Sequence, residues 1–494
     1  MDIGSSSISM DVFEIKDESY NHIRHDSANT FLSSGVARDG LLDEETLLKT
    51  SNVLKQFKKT LKAYENVEIF AVCTAAVRQA KNGEEALKIF QKSLGKNASC
   101  GIITGEKEAY YDFLGTVNSC NLKDYVICDV GGASTEISLV QNRKLIGSVS
   151  LAFGANILTD RHFPQDFVSK HSVLEAETAV KNDIQNIPWL SDAKGLPIIG
   201  LGSSMREIAR AEMKKRLFSS SPLHNYSLLK ANFEFMYKKI SKLTEFDRVN
   251  KLNIKKALAR GILGGLVPFK VLADEISARK LYYSESGLRL GFFYEVYSRL
   301  LGKDPIEPDV VASGIKKLQL KYNVDIEHAN DVKNIALMIY DSLFETHRLG
   351  ARYRDILETA AELHDIGEFI SYSNHHKHSM YIIEESQIYG EEFIDKFLIA
   401  LVASGHRRQG FALRFWQKRK LLDKNLFTRI HTLSNILALA EYMVKNYHNR
   451  NFSIGINPKE VNINLVHPKT TSPLDLACTT QFYKRILGRR VLII

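Results

Sequence analysis

The sequence predicts an α/β protein of two related halves, followed by an all-helical region and a small α+β tail. Three observations carry that expectation. The run Asp129-Val130-Gly131-Gly132-Ala133-Ser134-Thr135-Glu136 repeats in chemical outline the opening Asp2-Ile3-Gly4-Ser5-Ser6-Ser7. Strand-like and helical segments alternate up to about residue 300, the pattern of a layered α/β fold. Beyond the segment Gly302-Lys303-Asp304-Pro305-Ile306-Glu307-Pro308-Asp309, helical periodicity dominates to about Asn446.

The first half, residues 1–120, holds a strand-like run from Ile8 to Ile15, then Leu47, Leu54, Phe57 and Leu61 at helical spacing, then a strand-like run from Val67 to Val72. Only Met1 precedes Asp2, so the strand leading into the first loop is expected to be shortened, or the start codon misassigned. In the second half, residues 121–301, Tyr125-Val126-Ile127-Cys128 leads into the second loop and Ile137-Ser138-Leu139-Val140 leaves it. A helix follows from Val173 to Asn186, a strand from Leu196 to Leu201, and a long helical tract from Leu228 to Leu243. The segment at 302–309 carries two of the chain's ten prolines among charged residues and reads as a linker into a helical domain, 302–447. The tail, 448–494, contains the strand-like Val461-Asn462-Ile463-Asn464-Leu465-Val466.

At 494 residues the chain is too long for one ordinary core. Its 44% hydrophobic and 25% charged residues are those of a soluble globular protein. A net charge of +9 favours an anionic partner, which phosphate esters, polyphosphate and nucleic acid satisfy equally. Cys73, Cys100, Cys120, Cys128 and Cys478 are scattered without CxxC spacing, as expected of core residues in a reducing compartment. No basic-then-apolar leader and no apolar run of membrane-spanning length is present, so a cytoplasmic address with no membrane partner is expected.

The two loops have the chemistry of phosphate cradles. Glycine lets successive N–H groups turn toward one anion, hydroxyls add donors, and an Asp at the strand end can hold Mg²⁺. Between them lie Thr74-Ala75-Ala76-Val77-Arg78 and Ile103-Thr104-Gly105-Glu106-Lys107-Glu108-Ala109. Arg78 stands where a strand meets a helix, suited to bidentate contact with a terminal phosphate. Glu108 stands in a first helical turn, where a carboxylate can deprotonate water for in-line attack. Taken singly, Arg78 reads as well as an ordinary ion-pair residue, and Glu108 as a first-turn acid complementing the helix dipole.

In this order, the four segments resemble the exopolyphosphatase and guanosine pentaphosphate phosphatase family of the actin-like ATPase superfamily, over essentially the whole chain. The resemblance implies two ribonuclease-H-like domains that hydrolyse terminal phosphoanhydride bonds with a divalent metal, Mg²⁺ or Mn²⁺, with K⁺ as a further candidate ion. It places Glu108 and Glu136 as catalytic. Phosphate contacts fall to Ser5, Ser6, Ser7, Arg78, Gly131, Gly132, Ser134 and Thr135, and to Gly202 and Ser203 of the later turn Gly200-Leu201-Gly202-Ser203-Ser204. Asp2, Asp129 and Glu136 stand near the metal. Three departures are visible: Ser6 stands where Asn is common, Ala133 replaces a glycine, and Leu290 in Ser286-Gly287-Leu288-Arg289-Leu290-Gly291 stands where Glu is usual. Inorganic polyphosphate is the first expected substrate, guanosine pentaphosphate the alternative, and a homodimer the family expectation. A non-catalytic alarmone or polyphosphate sensor is the competing class, against which the acidic set Glu108, Asp129 and Glu136 counts.

The helical domain resembles the HD phosphohydrolase fold at His364-Asp365-Ile366-Gly367. The resemblance implies a metal set drawn from His347, His364, Asp365, His378, His406 and Glu441, with Glu441 in place of the usual last Asp. Glu368 occupies a position where such enzymes commonly carry Lys, and the alternative is a vestigial fold with core histidines. After His406 the basic residues Arg407, Arg408, Arg414, Lys418 and Arg419 can form a face for a polyanion, or an ordinary solvated helix face. No aromatic-interleaved basic motif of the RNA-binding type accompanies them, so nucleic acid is not an expected partner.

Overall fold

The computed structural model describes residues 1–16, 19–32, 40–215, 222–407, 422–447, 452–456, 460–465 and 490–493. The chain forms two compact units, the first Met1–Lys215 with Leu223–Val310, the second from Val311 onward.

The first unit contains two sheets built on one plan. In the first, strands run in the order β3-β2-β1-β4-β5, with β1 Asp2–Ile3, β2 Ser7–Lys16, β3 Ser19–Asn29, β4 Ile69–Cys73 and β5 Ala98–Ile102. In the second the order is β10-β11-β9-β6-β7-β8, with β6 Tyr125–Val130, β7 Thr135–Gln141, β8 Lys144–Leu151, β9 Ile198–Leu201, β10 Tyr226–Leu229 and β11 Lys280–Tyr283. Strands β1 and β6 are counterparts. Each pairs antiparallel with the strand that follows it, β2 or β7, and parallel with a strand that leads into a helix, β4 or β9. Although β1 is two residues long, it lies inside the sheet: Asp2 faces Ser9 on one side and Val72 on the other. Backbone bonds extend that pairing, with the Val72 N–H donating to Met1 O at 3.0 Å and the Thr74 N–H to Ile3 O at 3.2 Å.

Helix α1, Glu44–Leu61, is capped by Asp43, whose side chain accepts from the Thr46 N–H. It buries Leu47, Leu54, Phe57 and Leu61, the four residues whose spacing marked it. The short helix α2, Ala75–Gln79, follows β4, then α3, Gly83–Leu94. One expected element differs. The apolar tract from Leu228 is a strand and then a helix: β10 pairs antiparallel with β11, and the helix starts only at Lys230, whose N–H donates to Arg279 O at 2.9 Å. A short apolar run has no period of its own, and here the free edge of β11 decided its conformation.

Helix α4, Gly105–Val117, packs backbone to backbone against α9, Leu288–Leu301. A Cβ at Gly291 would lie 1.8 Å from Tyr111 O, and one at Gly115 would lie 2.4 Å from Gly287 O. The glycines of the 286–291 segment thus hold the helix that carries Glu108. Gly291→Ala is expected to cost about 3 kcal/mol through overpacking, read by urea denaturation. Gly101→Ala, where a Cβ meets nothing within 4 Å, is the control expected to change stability little.

Helix α9 ends at Gly302 in left-handed conformation, φ +64°. The segment beyond it is pinned within the first unit: the Asn118 side chain donates to Pro305 O at 2.6 Å and accepts from the Glu307 N–H at 2.7 Å.

The second unit is helical through α10 Val310–Lys321, α11 Ile326–Ser342, α12 Ala351–Leu363, α13 His375–Glu385, α14 Phe393–Ser404 and α15 Lys424–Tyr447. A three-stranded sheet, Phe452–Ile456, Glu460–Leu465 and Arg490–Ile493, follows. No helix among the described residues is long and apolar enough to cross a membrane.

Candidate active site

The loops after β1 and β6 close with the same hydrogen bond. The Gly4 N–H donates to Ser7 O, and the Gly131 N–H to Ser134 O, each at 3.0 Å. The structure brings them side by side, since a Cβ on Gly132 would lie 2.9 Å from Ser6 Oγ and 3.3 Å from Ser5 Cβ. Helix α5, Ala155–His162, begins on the second loop, with the Ala155 and Asn156 N–H groups donating to Gly131 O and Gly132 O. Asn156, which sequence reasoning did not single out, also extends Nδ2 to 3.5 Å from Ser6 Oγ. Beyond β9, Gly202 adopts φ +88°, and a Cβ there would meet Val130 O at 2.7 Å and Asp129 Oδ1 at 3.3 Å. Only glycine allows both that φ and that approach, and Ser203 then opens helix α7, Ser203–Lys215.

Beside these loops stands Glu108, 7% exposed, in the first turn of α4, where Thr104 caps the helix by accepting from the Lys107 N–H. Arg78 donates from Nη1 to Glu108 Oε2 at 2.8 Å and to Ile103 O at 3.0 Å. Burial, reinforced by Glu136, pushes the Glu108 pKa up to about 8 against the pull of Arg78. Asp129 and Glu136 face each other directly across β6 and β7. Burial and neighbouring carboxylates push both to about 7, although Ser150 Oγ donates to Glu136 Oε1 at 2.8 Å. Burial also raises the Asp2 carboxyl.

A fifth carboxylate, Asp112, lies one helical turn beyond Glu108 and is fully buried. Burial, then Asp129, Glu136 and Glu108, raise its pKa well above the ordinary value. Its signal in the sequence was the i, i+4 spacing from Glu108, which brings both to one helix face. One predicted phosphate contact changes meaning: Thr135 is fully buried and its hydroxyl donates to Phe153 O at 2.7 Å, so it ties the loop down with the proton a phosphate would need.

A cluster of buried carboxylates with one arginine has uncompensated negative charge once ionised, which fits a divalent cation. Among the described residues, these carboxylates do not form a group of three oxygens within 4.8 Å of one another. Such an arrangement suits Mg²⁺, which takes one or two carboxylates and completes its shell with water and phosphate oxygens.

The raised carboxyls set the pH dependence of stability. Their folded pKa values of about 7 to 8 exceed the unfolded ones, so the stability they contribute is complete at about pH 4 and is lost as pH rises through about 8. The metal-free protein is therefore expected to show a Tm that falls between about pH 5 and pH 8. Asp129→Asn should flatten that slope, and Mg²⁺ should restore the Tm at pH 8. Calorimetry with and without EDTA checks this.

In the second unit, His364 and Asp365 lie with Glu441 and His406, but His347 and His378 do not join them. The His347 Nε2–H donates to Tyr340 O at 2.9 Å and its Nδ1 accepts from the Leu349 N–H, closing a local turn. Their places are taken by His328, on α11, and His375, the first residue of α13. On α13, His375 and His378 are three residues apart and so share one side of the helix, and spacing alone did not choose between them. Of the basic series, Arg407 stacks its guanidinium on Tyr372, 4.9 Å from the ring centroid. Arg408, Arg414, Lys418 and Arg419 lie outside the described residues.

Paired strand–loop–strand turns in two like sheets, with a buried glutamate–arginine pair beside them, fit a phosphoanhydride hydrolase with an actin-like fold. The chain belongs to the Ppx/GppA phosphatase family, which matches residues 11–300, with Ppx/GppA phosphatase, domain III, matching residues 310–475. Proteins named guanosine-5'-triphosphate,3'-diphosphate pyrophosphatase are similar to it: one from Pseudoalteromonas atlantica is 26% identical over 428 residues, 83% of this chain and 79% of the relative. One from Pseudoalteromonas translucida is 27% identical over 452 residues, 90% of this chain and 84% of the relative. The crystal structure of the Aquifex aeolicus Ppx/GppA family member is 26% identical with a TM-score of 0.52, covering 61% of this chain and 96% of its own. An exopolyphosphatase from Cytophaga hutchinsonii shares the fold at 19% identity, with a TM-score of 0.55 over 62% of this chain and 98% of its own.

Proposed function

We propose that the chain releases terminal orthophosphate from inorganic polyphosphate, with Glu108 as general base. The observation that carries this reading is Glu108 itself, buried beside the two loops, held by Arg78 and pushed to about 8, near the pH at which a base transfers protons best. The loop N–H groups and the Ser5, Ser6, Ser7 and Ser134 hydroxyls bind and orient the terminal phosphates, and Arg78 offsets charge on the phosphoryl group in flight. Glu108 removes the proton from water as its oxygen attacks phosphorus, and the bond to the bridging oxygen breaks. Glu136, held by Ser150, orients that water. One or two of Asp2, Asp129 and Glu136 would hold Mg²⁺ or Mn²⁺, with water and phosphate oxygens completing its shell, and the ion would supply charge neutralisation to the phosphate chain when bound.

Polyphosphate agrees with the net charge of +9. The names of the two Pseudoalteromonas relatives favour a second reading, hydrolysis of guanosine pentaphosphate to the tetraphosphate at the same site. Orthophosphate release measured on both substrates at equal terminal-phosphate concentration separates them: a higher kcat/KM for polyphosphate supports the first, and a higher value for the nucleotide replaces it with the second. Failure on both would return the sensor reading. The resemblance adds a cytoplasmic homodimer and an HD-type fold for the helical unit, the latter supported by the convergence of His364 and Asp365 with further histidines.

A further inference from the structure

We infer, on the phosphoanhydride reading above, that Arg289 is a second phosphate-binding cation of the site, taking the terminal phosphoryl group and the orthophosphate it becomes, and that Asp11 is the residue that positions it.

The pleat of the first sheet sets the placement. Successive residues of a strand face opposite sides, and on β2 the residues Ile8, Met10 and Val12 enter the hydrophobic core with Ile3 of β1. Ser9 and Asp11 therefore lie on the other face, with Asp2. Ser9 is paired with Asp2, and Asp11 stands two residues further from the first loop, roughly 7 Å along the strand. His25 of β3 is paired with Asp11 on the same face. Helix α9 brings Arg289 to that face, with Nε 3.0 Å from Asp11 Oδ2. Gly287, just before the helix, stands against the buried Asp112, since a Cβ there would lie 3.1 Å from Oδ1. The short run 287–289 thus borders both the acidic group and the sheet face beside Asp2.

Asp11 is a mount for the guanidinium. Its Oδ1 accepts from His22 Nε2 at 2.9 Å and from His25 Nδ1 at 2.8 Å, which leaves Oδ2 to Arg289. Against the upward push of burial, the two histidine hydrogen bonds and the charge of Arg289 hold the Asp11 carboxyl well below the usual carboxylate range. Aromatic packing fixes the frame around it: Phe13 of β2 stacks on Phe293 of α9 with ring centroids 3.8 Å apart, and the Tyr20 and Tyr294 hydroxyls meet at 2.7 Å. A guanidinium has five N–H donors, and a pair made through Nε leaves the four on the two Nη atoms for another acceptor. Among the described residues Asp11 is the ion-pair partner of Arg289, whose side chain is 36% exposed.

The charge balance identifies that acceptor. Burial raises the Asp2 carboxyl, and Arg289 is the charge that most opposes the rise, so the guanidinium acts on the group at the mouth of the first loop. Arg78 is already engaged with Glu108 and Ile103 O. A phosphoryl group entering among Asp2, Glu108, Asp112, Asp129 and Glu136 meets repulsion that a second cation offsets, and a planar fork matches two of its oxygens.

Binding of inorganic phosphate to the full chain with Mg²⁺, followed by titration calorimetry, needs no turnover. Arg289→Ala is expected to weaken it about 10- to 100-fold, the loss of a charge-assisted hydrogen bond. Asp11→Asn should weaken it about 3- to 10-fold in the native chain, yet leave it unchanged or tighter in Arg289→Ala, where only a repelling carboxylate is removed. A structural brace would move the urea midpoint and show no such reversal. If Arg289→Ala does not fold, Arg289→Met, which keeps the apolar stem, decides. Affinity unchanged in the folded variant would overturn the role of Arg289, and weakening by Asp11→Asn in both backgrounds would overturn that of Asp11. Phosphate binding lost in Arg289→Ala, in a chain that releases no orthophosphate from polyphosphate or guanosine pentaphosphate, would overturn the proposed activity and leave the binding role standing.

Discussion

Glu108→Gln is expected to lower kcat for orthophosphate release by about 10²–10⁴-fold while leaving polyphosphate affinity within a few-fold. Glutamine keeps the volume of the side chain and its oxygen can still accept from Arg78 Nη1, so the pocket retains its shape. What disappears is the ability to take a proton from water. The substitution also removes a carboxyl that burial disfavours in its charged form, so the metal-free variant should be more stable than the native chain at pH 8. Loss of turnover with a gain in stability is the signature of a functional group held in an unfavourable environment. Steady-state release, equilibrium binding and calorimetry on one preparation read all three quantities. Unchanged kcat would remove Glu108 from the role of base.

Arg78→Ala is expected to lower kcat/KM by about 10²–10³-fold, the loss typical of one preorganised donor at a site of developing charge. It differs from Glu108→Gln in two ways. Affinity should weaken as well, because a cation facing the phosphates is gone in ground and transition state alike. The acid limb of the kcat/KM profile should also move to higher pH, since Arg78 holds the Glu108 carboxyl down and its removal lets burial raise it further. Arg78→Lys should restore charge but only part of the rate, because an ammonium cannot reproduce the planar donation that reaches both Glu108 and Ile103 O. A profile whose acid limb stays in place in Arg78→Ala would show that the pair does not set the protonation of Glu108.

The two glycine-rich loops were legible because their conformation is local. Glycine, hydroxyl residues and a strand-terminal Asp specify a turn within a few positions, and the structure closes Gly4 on Ser7 and Gly131 on Ser134 in the same way. Helix α1 was legible for a similar reason, its apolar face repeating at the helical period. Asn156 and Ser150 were not legible, because each meets the site only through pairings remote in sequence, and Asp112 left no more than its i, i+4 spacing from Glu108. The glycine contacts of α4 with α9 place Asp112, the docking of α5 on the second loop places Asn156, and strand β8 places Ser150.

The histidines divide along the same line. The resemblance at His364-Asp365 drew in His347 and His378, yet the structure gathers His328 and His375 with Asp365, His406 and Glu441 instead. Helix packing chose them, and a 3.6-residue period offers several histidines to a neighbouring helix without saying which one it will face. The amino-acid sequence by itself determined the residue types, the two strand–loop–strand cradles and the change from an alternating to a helical pattern. Only the tertiary structure decided which acids share a buried space and which imidazoles meet, since burial and distance, the causes of the shifted carboxyls and of the gathered imidazoles, exist only once remote segments are packed together.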